Sequence, residues 1–224
     1  MLDYTEKRDA YFATARREIA PLLPPGRLRV LEIGCGAGAT LAWMKESGIA
    51  SETVGIEISS VPADTARLYV DTMIEADAET TDLPASLGNF DAILCLDVLE
   101  HMVDPWGFIE RIQERLTPDG VMISSIPNVR HLKVLIPLLF QSRWDYVNEG
   151  ILDRTHLRFF TESSARDLMS TGTLRVQKVI RHIPPKGSKS YRFNLWTLGL
   201  LRSFMVMQFL ISARRQPFKP IMVA

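Results

Sequence analysis

Three closely spaced glycines, Gly34, Gly36 and Gly38, lie between a predicted strand and a predicted helix. Glycine at such a junction permits a tight turn and lets the backbone approach a ligand without an intervening Cβ atom. The amides at the start of the following helix favour an anionic or polar ligand group. Because the spacing is G-x-G-x-G, not the G-x-G-x-x-G of dinucleotide-binding proteins, it disfavours a nicotinamide cofactor.

Acidic residues stand near the ends of three successive predicted strands. Glu32 precedes the first glycine, Glu57 closes the next strand, and Asp77 follows the third. A carboxylate in the second position commonly accepts hydrogen bonds from both hydroxyls of a ribose. Since parallel strands end at one edge of a sheet, the three carboxylates border one crevice, where open α/β sheets bind ligands.

The segments that must position these residues alternate between apolar runs and helical patterns, as in a parallel sheet with crossover helices. Five strands are predicted, at Leu28–Ile33, Thr53–Ile56, Thr72–Glu75, Phe90–Leu96 and Gly120–Ser125. Helices, the last of them capped by Asp104, are predicted at Thr5–Ala20, Ala39–Ser47, Ser60–Val70 and Pro105–Leu116.

The pattern changes after Ser125, where prolines and mixed aromatic and charged residues suit no regular βα unit. This stretch is predicted to be an inserted cap with a helix at Arg130–Phe140. Regular structure then resumes with a helix, capped by Thr161 or Ser163, and two strands. These elements are predicted at Thr161–Ser170, Leu174–His182 and Val206–Ala213, with a buried helix near Asn194–Ser203.

The apolar tail has an alternative interpretation as a membrane-facing amphipathic helix. It is apolar on nearly all sides, which favours the buried helix and strand. The whole chain is expected to form one domain of four parts. These are an N-terminal helix and linker (1–27), a cofactor-binding half (28–125), an acceptor cap (126–160) and a C-terminal helix with a β-hairpin (161–224).

On these motifs the chain resembles the class I S-adenosylmethionine-dependent methyltransferases. The residues that carry the resemblance are Leu31–Gly38, Glu57, the Asp77 segment and Phe90–Pro105, and it extends over residues 25–215. It implies an α/β, Rossmann-like fold: a seven-stranded, mostly parallel sheet in the order 3-2-1-4-5-7-6, with helices on both faces. The segment Gly150–Thr161 also resembles a subgroup encoded with polysaccharide-assembly glycosyltransferases.

The resemblance implies a set of residues that bind S-adenosylmethionine. Glu32, Gly34 and Gly36 would contact its methionine part, and Glu57 would contact its ribose. The adenine would lie beside Asp77 and Ala78, and the reacting end above Leu96 and Asp97. The remaining members of the expected cofactor site are Cys35, Gly38 and Ile58.

A hydroxyl acceptor must lose a proton during methyl transfer, so a general base is expected. His156 is the leading candidate, with Asp153 as its partner, because the subgroup places this segment close to the acceptor. His101 is a further catalytic candidate. The structural alternative is that His156 and Arg158 hold the loop against the domain.

Asp97, Glu100 and His101 provide a second possible chemistry, because positions i, i+3 and i+4 share one face of a helical turn. Such a cluster could hold Mg²⁺. It resembles the Glu/Glu/His set of ubiquinone-pathway O-methyltransferases, with Asp97 as the departure. The same Leu-Glu-His sequence occurs in metal-free members, and the prediction is a metal-free enzyme.

Charge is distributed unevenly along a chain whose net charge is zero, with 26 basic and 26 acidic residues. Residues 28–125 hold 5 basic and 17 acidic side chains, a balance of −12, whereas residues 126–224 hold 16 and 5, a balance of +11. The neutral total argues against a general nucleic-acid-binding protein. The basic half would suit an anionic acceptor, such as a nucleotide sugar or a lipid-linked glycan.

Two cysteines, Cys35 and Cys95, form no metal-ligand spacing and suit a reducing compartment. A charged N-terminus and the lack of a clean apolar span lead to a cytoplasmic prediction without a transmembrane segment. The oligomeric state stays open.

These observations predict an S-adenosylmethionine-dependent methyltransferase that acts on a small molecule, with O-methylation of a sugar or glycan intermediate as the first hypothesis. Trp144, Tyr146, Phe159 and Phe160 could stack on the acceptor, although at least one of the two phenylalanines is expected in the core. The alternatives are a quinone or phenolic O-methyltransferase, a non-catalytic cofactor-binding module, and a nicotinamide-dependent reductase. The reductase lacks support because a Tyr-x-x-x-Lys pair is missing.

Overall fold

The computed structural model describes residues 14–183 and 196–216, which form a single seven-stranded sheet. The strand order is β3-β2-β1-β4-β5-β7-β6, as the resemblance implied. Strands β1 to β5 run parallel, whereas β7 is antiparallel to both β5 and β6. Their bounds are β1 Leu28–Ile33, β2 Ala50–Glu57, β3 Thr72–Glu75, β4 Phe90–Leu96, β5 Leu116–Pro127, β6 Leu174–His182 and β7 Gln208–Arg215.

The sheet separates two apolar cores, because side chains along a strand alternate between its faces. On β1, Leu31 and Ile33 pack into one core, and Val30 packs into the other. All three side chains are at most 1% exposed. Strands covered on both faces must be apolar almost throughout, which is why the apolar runs of β1 and β4 predict the ends of these two strands correctly.

Within residues 14–183 and 196–216, five α-helices accompany the sheet. Asp104 caps α3 by accepting a hydrogen bond from the Gly107 amide at 3.1 Å, as predicted. Thr161 caps α5 in a capping box with Ser164. The helices are α1 Ala39–Glu46, α2 Ser60–Ala66, α3 Pro105–Ile112, α4 Leu132–Gln141 and α5 Glu162–Leu168.

The N-terminal prediction requires correction where the structure describes it. Residues 5–13 of the expected Thr5–Ala20 helix lie outside the described ranges, residues 14–16 are irregular, and Arg17–Leu22 forms a 3₁₀ helix. Pro21 lies inside that helix, and because proline cannot donate a backbone hydrogen bond, a regular α-helix is disfavoured there.

The apolar tail also differs from its prediction. Residues 194 and 195 lie outside the described part, and the next residues form a turn followed by a 3₁₀ helix at Arg202–Met205. Instead of being buried, Trp196 is 79% exposed, Leu198 is 89% exposed and Leu200 is 81% exposed. The expected strand is present at β7, where Leu210 and Ile211 are fully buried.

The segment that connects β5 to α5 contains α4 and an irregular stretch that packs against the end of β4. The amides of Leu157 and Arg158 donate to the Glu100 carbonyl at 2.8 and 3.0 Å. A β-bridge joins Asn128 to Phe160. Across residues 14–183 and 196–216, no helix combines the length and the apolar character that crossing a bilayer requires.

Candidate active site

The turn after β1 requires glycine for steric reasons. Gly34 has φ +65°, and a Cβ atom built there would lie 2.7 Å from Cγ2 of Val98. Gly36 also has a positive φ, of +54°. Its amide donates to Oε2 of Glu57 at 2.9 Å, and the Ser59 amide donates to Oε1 at the same distance. The turn therefore holds the Glu57 carboxylate at the end of β2.

A cavity of about 180 Å³ opens at this edge of the sheet. Among the predicted cofactor residues, its walls include Glu32, Gly34, Cys35, Gly36, Glu57, Ile58, Leu96 and Asp97. The sequence did not predict four other members of the wall, and it predicted His101 as a catalytic residue or an alternative metal ligand, not as a cofactor residue. These additional wall residues are Thr14, Arg16, Thr40, Val98 and His101.

Three predicted cofactor residues lie outside this wall. Gly38 caps α1, and a Cβ atom there would meet Ala66 at 3.2 Å, which indicates a packing role. Asp77 accepts a hydrogen bond from the Glu79 amide at 2.9 Å. Ala78 lines a neighbouring cavity of about 190 Å³.

Glu32 is a buried carboxyl group in the cavity wall, with 3% exposure. Its Oε2 atom has no hydrogen-bond partner among the described residues. Burial raises the pKa of Glu32 to about 8, against the opposing effects of Arg16 and Thr40. A cationic ligand group here would satisfy a carboxylate that the protein itself leaves without a full set of partners. Burial likewise raises the pKa of the Cys35 thiol, which makes it a poor nucleophile.

Arg16 is the basic residue of the cavity wall. It forms ion pairs with Asp97 and with Glu18. Although burial opposes protonation, the attraction of these carboxylates raises the pKa of Arg16 above its usual value. No local sequence signal links position 16 to position 97, because the pair exists only through the tertiary fold.

Asp97 is held at the cavity wall by three elements. It has an unusual positive φ of 59°, and Ser125 of β5 donates to its Oδ1 at 2.9 Å. Gln208 at the start of β7 donates to the same oxygen, and Arg16 binds the other. The residue thus joins the N-terminal segment, β4, β5 and β7 beside the expected reacting end.

His101 lies in the cavity wall and is half-buried. Its Nδ1 is 3.1 Å from the carbonyl oxygen of Thr155. A carbonyl oxygen can only accept, so this contact places the proton of the neutral ring on Nδ1 and its lone pair on Nε2.

His156 packs directly behind His101, with ring centroids 4.6 Å apart at 72°. It is 8% exposed, and its Nδ1 lies 3.0 Å from the Ile151 carbonyl oxygen. It is absent from the described cavity wall. Asp153 is also buried, and its Oδ1 accepts hydrogen bonds from the amide and hydroxyl of Thr155 at 2.9 and 2.6 Å. Asp153 thereby shapes the turn that presents the Thr155 carbonyl to His101.

The structure brings Glu100, His101 and His156 together, with one ligand-type atom of each within 4.8 Å of the others. Asp97 is not part of this set, although the sequence grouped it with Glu100 and His101. The Nε2 atom of His156 lies 3.9 Å from Oε1 of Glu100, which is 1% exposed. Two imidazoles and one carboxylate do not match the oxygen-rich donor set that Mg²⁺ prefers.

Aromatic side chains continue from this cluster toward the irregular segment. The ring centroid of Phe159 lies 6.3 Å from that of His156 and 5.2 Å from that of Trp144. The centroid of Tyr146 lies 6.4 Å from that of Phe159. Tyr146 is half-exposed, whereas Phe160 is buried in the core. The expectation that at least one of the two phenylalanines lies in the core is confirmed by Phe160.

Comparison with known proteins identifies the family. A family model described as a methyltransferase domain matches residues 4–178. The chain belongs to this methyltransferase family. It is accordingly an enzyme that uses S-adenosylmethionine as its methyl donor, and the seven-stranded sheet is the fold that the resemblance implied. The non-catalytic and nicotinamide-dependent alternatives are set aside.

Similar sequences include ubiquinone biosynthesis O-methyltransferases. The protein from Cereibacter sphaeroides is 31% identical over 174 residues, covering 75% of this chain and 68% of the relative. That from a Chelativorans species is 36% identical over 132 residues, covering 57% and 51%.

Solved structures share the fold of this methyltransferase. An S-adenosylmethionine-dependent methyltransferase from Mesorhizobium loti aligns with a TM-score of 0.62 and 20% identity, covering 88% of this chain and 96% of that one. Magnesium protoporphyrin IX methyltransferase from Synechocystis, with bound SAH, gives a TM-score of 0.59 and 16% identity, covering 93% and 81%.

Proposed function

We propose that this methyltransferase methylates a phenolic hydroxyl group on a quinone-type aromatic acceptor. The observation that carries the proposal is His101, which lines the cavity and whose Nδ1 lies 3.1 Å from the Thr155 carbonyl oxygen, an arrangement that puts the lone pair of the neutral ring on Nε2. The names of the similar sequences support the same acceptor class. This choice replaces the sugar acceptor as our first hypothesis.

The cavity residues suit the polar groups of S-adenosylmethionine. Glu57, fixed by two backbone amides, would accept the ribose hydroxyls. Glu32 offers a buried carboxyl group to the α-ammonium group, and Arg16 offers a cation to the α-carboxylate. The unpartnered Oε2 of Glu32 in the cavity wall fits such a ligand. Asp77 and Ala78 remain the proposed neighbours of the adenine.

The bound donor supplies a methyl group on a positively charged sulfur, so that the acceptor oxygen–carbon bond forms as the carbon–sulfur bond breaks. Nε2 of His101 takes the proton of the hydroxyl group, and the ring becomes an imidazolium cation. The buried Glu100 carboxyl group within the same cluster favours that cation. His156 and Asp153 act through His101: His156 packs against its ring, and Asp153 shapes the turn that holds it.

An aromatic acceptor suits the side chains near the base. Trp144, Tyr146 and Phe159 form a continuous group that reaches His156, and ring faces favour stacking with a planar substrate. A second candidate is an anionic sugar or glycan intermediate, favoured by the balance of +11 in residues 126–224. The same hydroxyl chemistry would serve both acceptors.

The decisive experiment compares initial rates of methyl transfer to catechols, nucleotide sugars and lipid-linked glycans. We expect transfer to catechols, and replacement of His101 by glutamine should lower kcat by roughly 10²–10⁴-fold. His182→Gln, which changes a histidine at the end of β6, is the matched control and should keep the rate. Methylation of a nucleotide sugar but not of any catechol would overturn the phenolic proposal. A full rate in His101→Gln would remove His101 as the base.

A further inference from the structure

Two segments near the end of β5 and the start of β7 expose large apolar side chains. Val134 is the buried residue of α4, while the second half of that helix is open to solvent. A second exposed group follows in residues 196–200. We call the exposed side chains of both segments the apolar face, and each is between 40% and 89% exposed. The apolar face consists of Ile136, Leu138, Leu139, Phe140, Trp196, Leu198 and Leu200. Such a set marks an interaction surface.

Both segments are anchored at the same edge of the sheet. Helix α4 begins five residues after Pro127, and the second segment leads into β7, where Gln208 pairs with Pro127. The Arg130 guanidinium lies 4.6 Å from the ring centroid of Phe204, and Asn128 donates to the Val206 carbonyl at 2.7 Å. The apolar face is therefore carried by two connected parts of the acceptor half.

The charged side chains along the two segments are all basic. Residues 128–144 and 196–207 contain four basic side chains and no aspartate or glutamate. Arg143 is paired with Asp145 at 2.9 Å, just beyond the first segment. The four basic residues are Arg130, Lys133, Arg143 and Arg202.

We propose that this face docks on the surface of a bilayer that contains anionic phospholipid. Apolar and aromatic side chains bordered by lysine and arginine match the boundary between acyl chains and negative headgroups. A second copy of the chain fits less well, because a symmetric contact would bring the basic residues of both copies together. Docking adds a partner to the proposed function and does not depend on the acceptor.

The position of the face gives docking a consequence for catalysis. Gln208, which follows the second segment, donates to Asp97 in the wall of the cofactor cavity. Helix α4 leaves the same edge of the sheet. A protein docked through these segments holds its acceptor side toward the lipid, where an acceptor with an apolar tail would reside.

The test uses the full chain in co-sedimentation with vesicles of phosphatidylcholine alone or with about 30% phosphatidylglycerol. We expect binding to the anionic vesicles and roughly tenfold weaker binding for Leu139→Gln/Phe140→Gln. The matched control is Val61→Gln/Leu68→Gln, which removes two apolar side chains exposed by 74% and 76% in and just after α2. The control should bind as the unchanged protein does.

Charge and insertion are tested separately. The double substitution Lys133→Gln/Arg202→Gln should weaken vesicle binding, and so should added salt. Binding should also shift the tryptophan fluorescence emission to shorter wavelength, and this shift should be absent in Trp196→Phe. Titration with SAH confirms that each variant is folded. Equal binding of the Leu139/Phe140 variant and the control, or dimerisation without vesicle binding, would overturn the proposal. Neither result would alter the catechol rates, so the two proposals fail separately.

Discussion

The cofactor half and the acceptor half position their functional groups in different ways. In residues 28–125, Glu32 and Glu57 stand at the ends of buried parallel strands, and backbone amides fix Glu57. In residues 126–216, a turn that is tied to the Glu100 carbonyl through Leu157 and Arg158 places His156 and the Thr155 carbonyl. The first half builds a site from its own strand ends, whereas the second builds one by bonding to the first. Mutations should separate the two.

The largest loss of cofactor affinity is expected from Glu57→Gln. This change weakens the acceptor of two amide hydrogen bonds and the proposed ribose contact, and hydrogen bonds to a charged group contribute ~1.5–3 kcal/mol each. We expect calorimetry to show at least about 100-fold weaker SAH binding. Glu75→Gln, which removes an exposed charge paired with Arg67, should bind normally. Equal affinities would show that the strand end does not build the site.

A smaller loss is expected from Arg16→Ala, which tests the charged cavity residue contributed by the N-terminal segment. Removal of the cation should weaken SAH binding roughly tenfold, the effect of one charge-assisted contact. Arg16→Lys should recover part of the affinity. Arg17→Ala, an exposed neighbour stacked near Trp43, is the control. If R16A and R17A bind SAH equally, Arg16 has a structural role alone.

The pH dependence of stability should report Glu32. Its folded pKa of about 8 lies above the ordinary glutamate pKa of 4.5, so between these values the folded state holds a proton that the unfolded state has lost. Stability from this group is therefore present below pH 4.5 and lost as pH rises through 8, with a slope of at most ~1.4 kcal/mol per pH unit.

Urea unfolding of the ligand-free protein from pH 5 to 8 measures this effect. Glu32→Gln should flatten the dependence, whereas Glu46→Gln, an exposed change in α1, should leave it unchanged. In the same range SAH affinity should increase with pH, because the α-ammonium group favours the ionised carboxylate. A pH profile that is the same in E32Q and the unchanged protein would contradict the assignment.

The smallest effect should come from the helix cap that begins the C-terminal part of the acceptor half. Thr161→Ala removes the side chain of a capping box and should lower the free energy of unfolding by about 1 kcal/mol. Ser163→Ala is the control, since Ser163 was the alternative cap in the sequence and is exposed in the structure. Catechol methylation should be unaffected by either change. Equal destabilisation by both would mean that the cap contributes no more than local helix propensity.

The sequence predicted the sheet and most of the cofactor wall because both depend on local patterns. Buried strands require continuous apolar runs, and the turn after β1 requires glycine where Val98 leaves no space for a side chain. The Arg16 contact escaped prediction because it joins residues 81 positions apart. The spacing of His101 and His156 along the chain likewise carries no information about which of the two rings lines the cavity.

The tail shows the opposite error. An apolar composition predicts burial, but Trp196 and Leu200 are exposed, since hydrophobicity reports a preference for leaving water and does not identify the partner. In a short stretch of sequence, a buried helix and a segment that contacts lipid have the same apolar composition. The difference becomes visible only when the sheet edge that carries the segment is known.

The position of β7 inside the sheet, between β5 and β6, constrains how the protein is made. β7 is the last described strand, yet it lies between β5 and β6 and also provides Gln208, which donates to Asp97. A nascent chain that has emerged only as far as β6 therefore has no neighbour for β6 within the sheet and lacks the hydrogen bond from Gln208 to Asp97. Because such distant pairings form slowly, we expect β6 to join the sheet, and Asp97 to gain its contact with Gln208, only after β7 has left the ribosome.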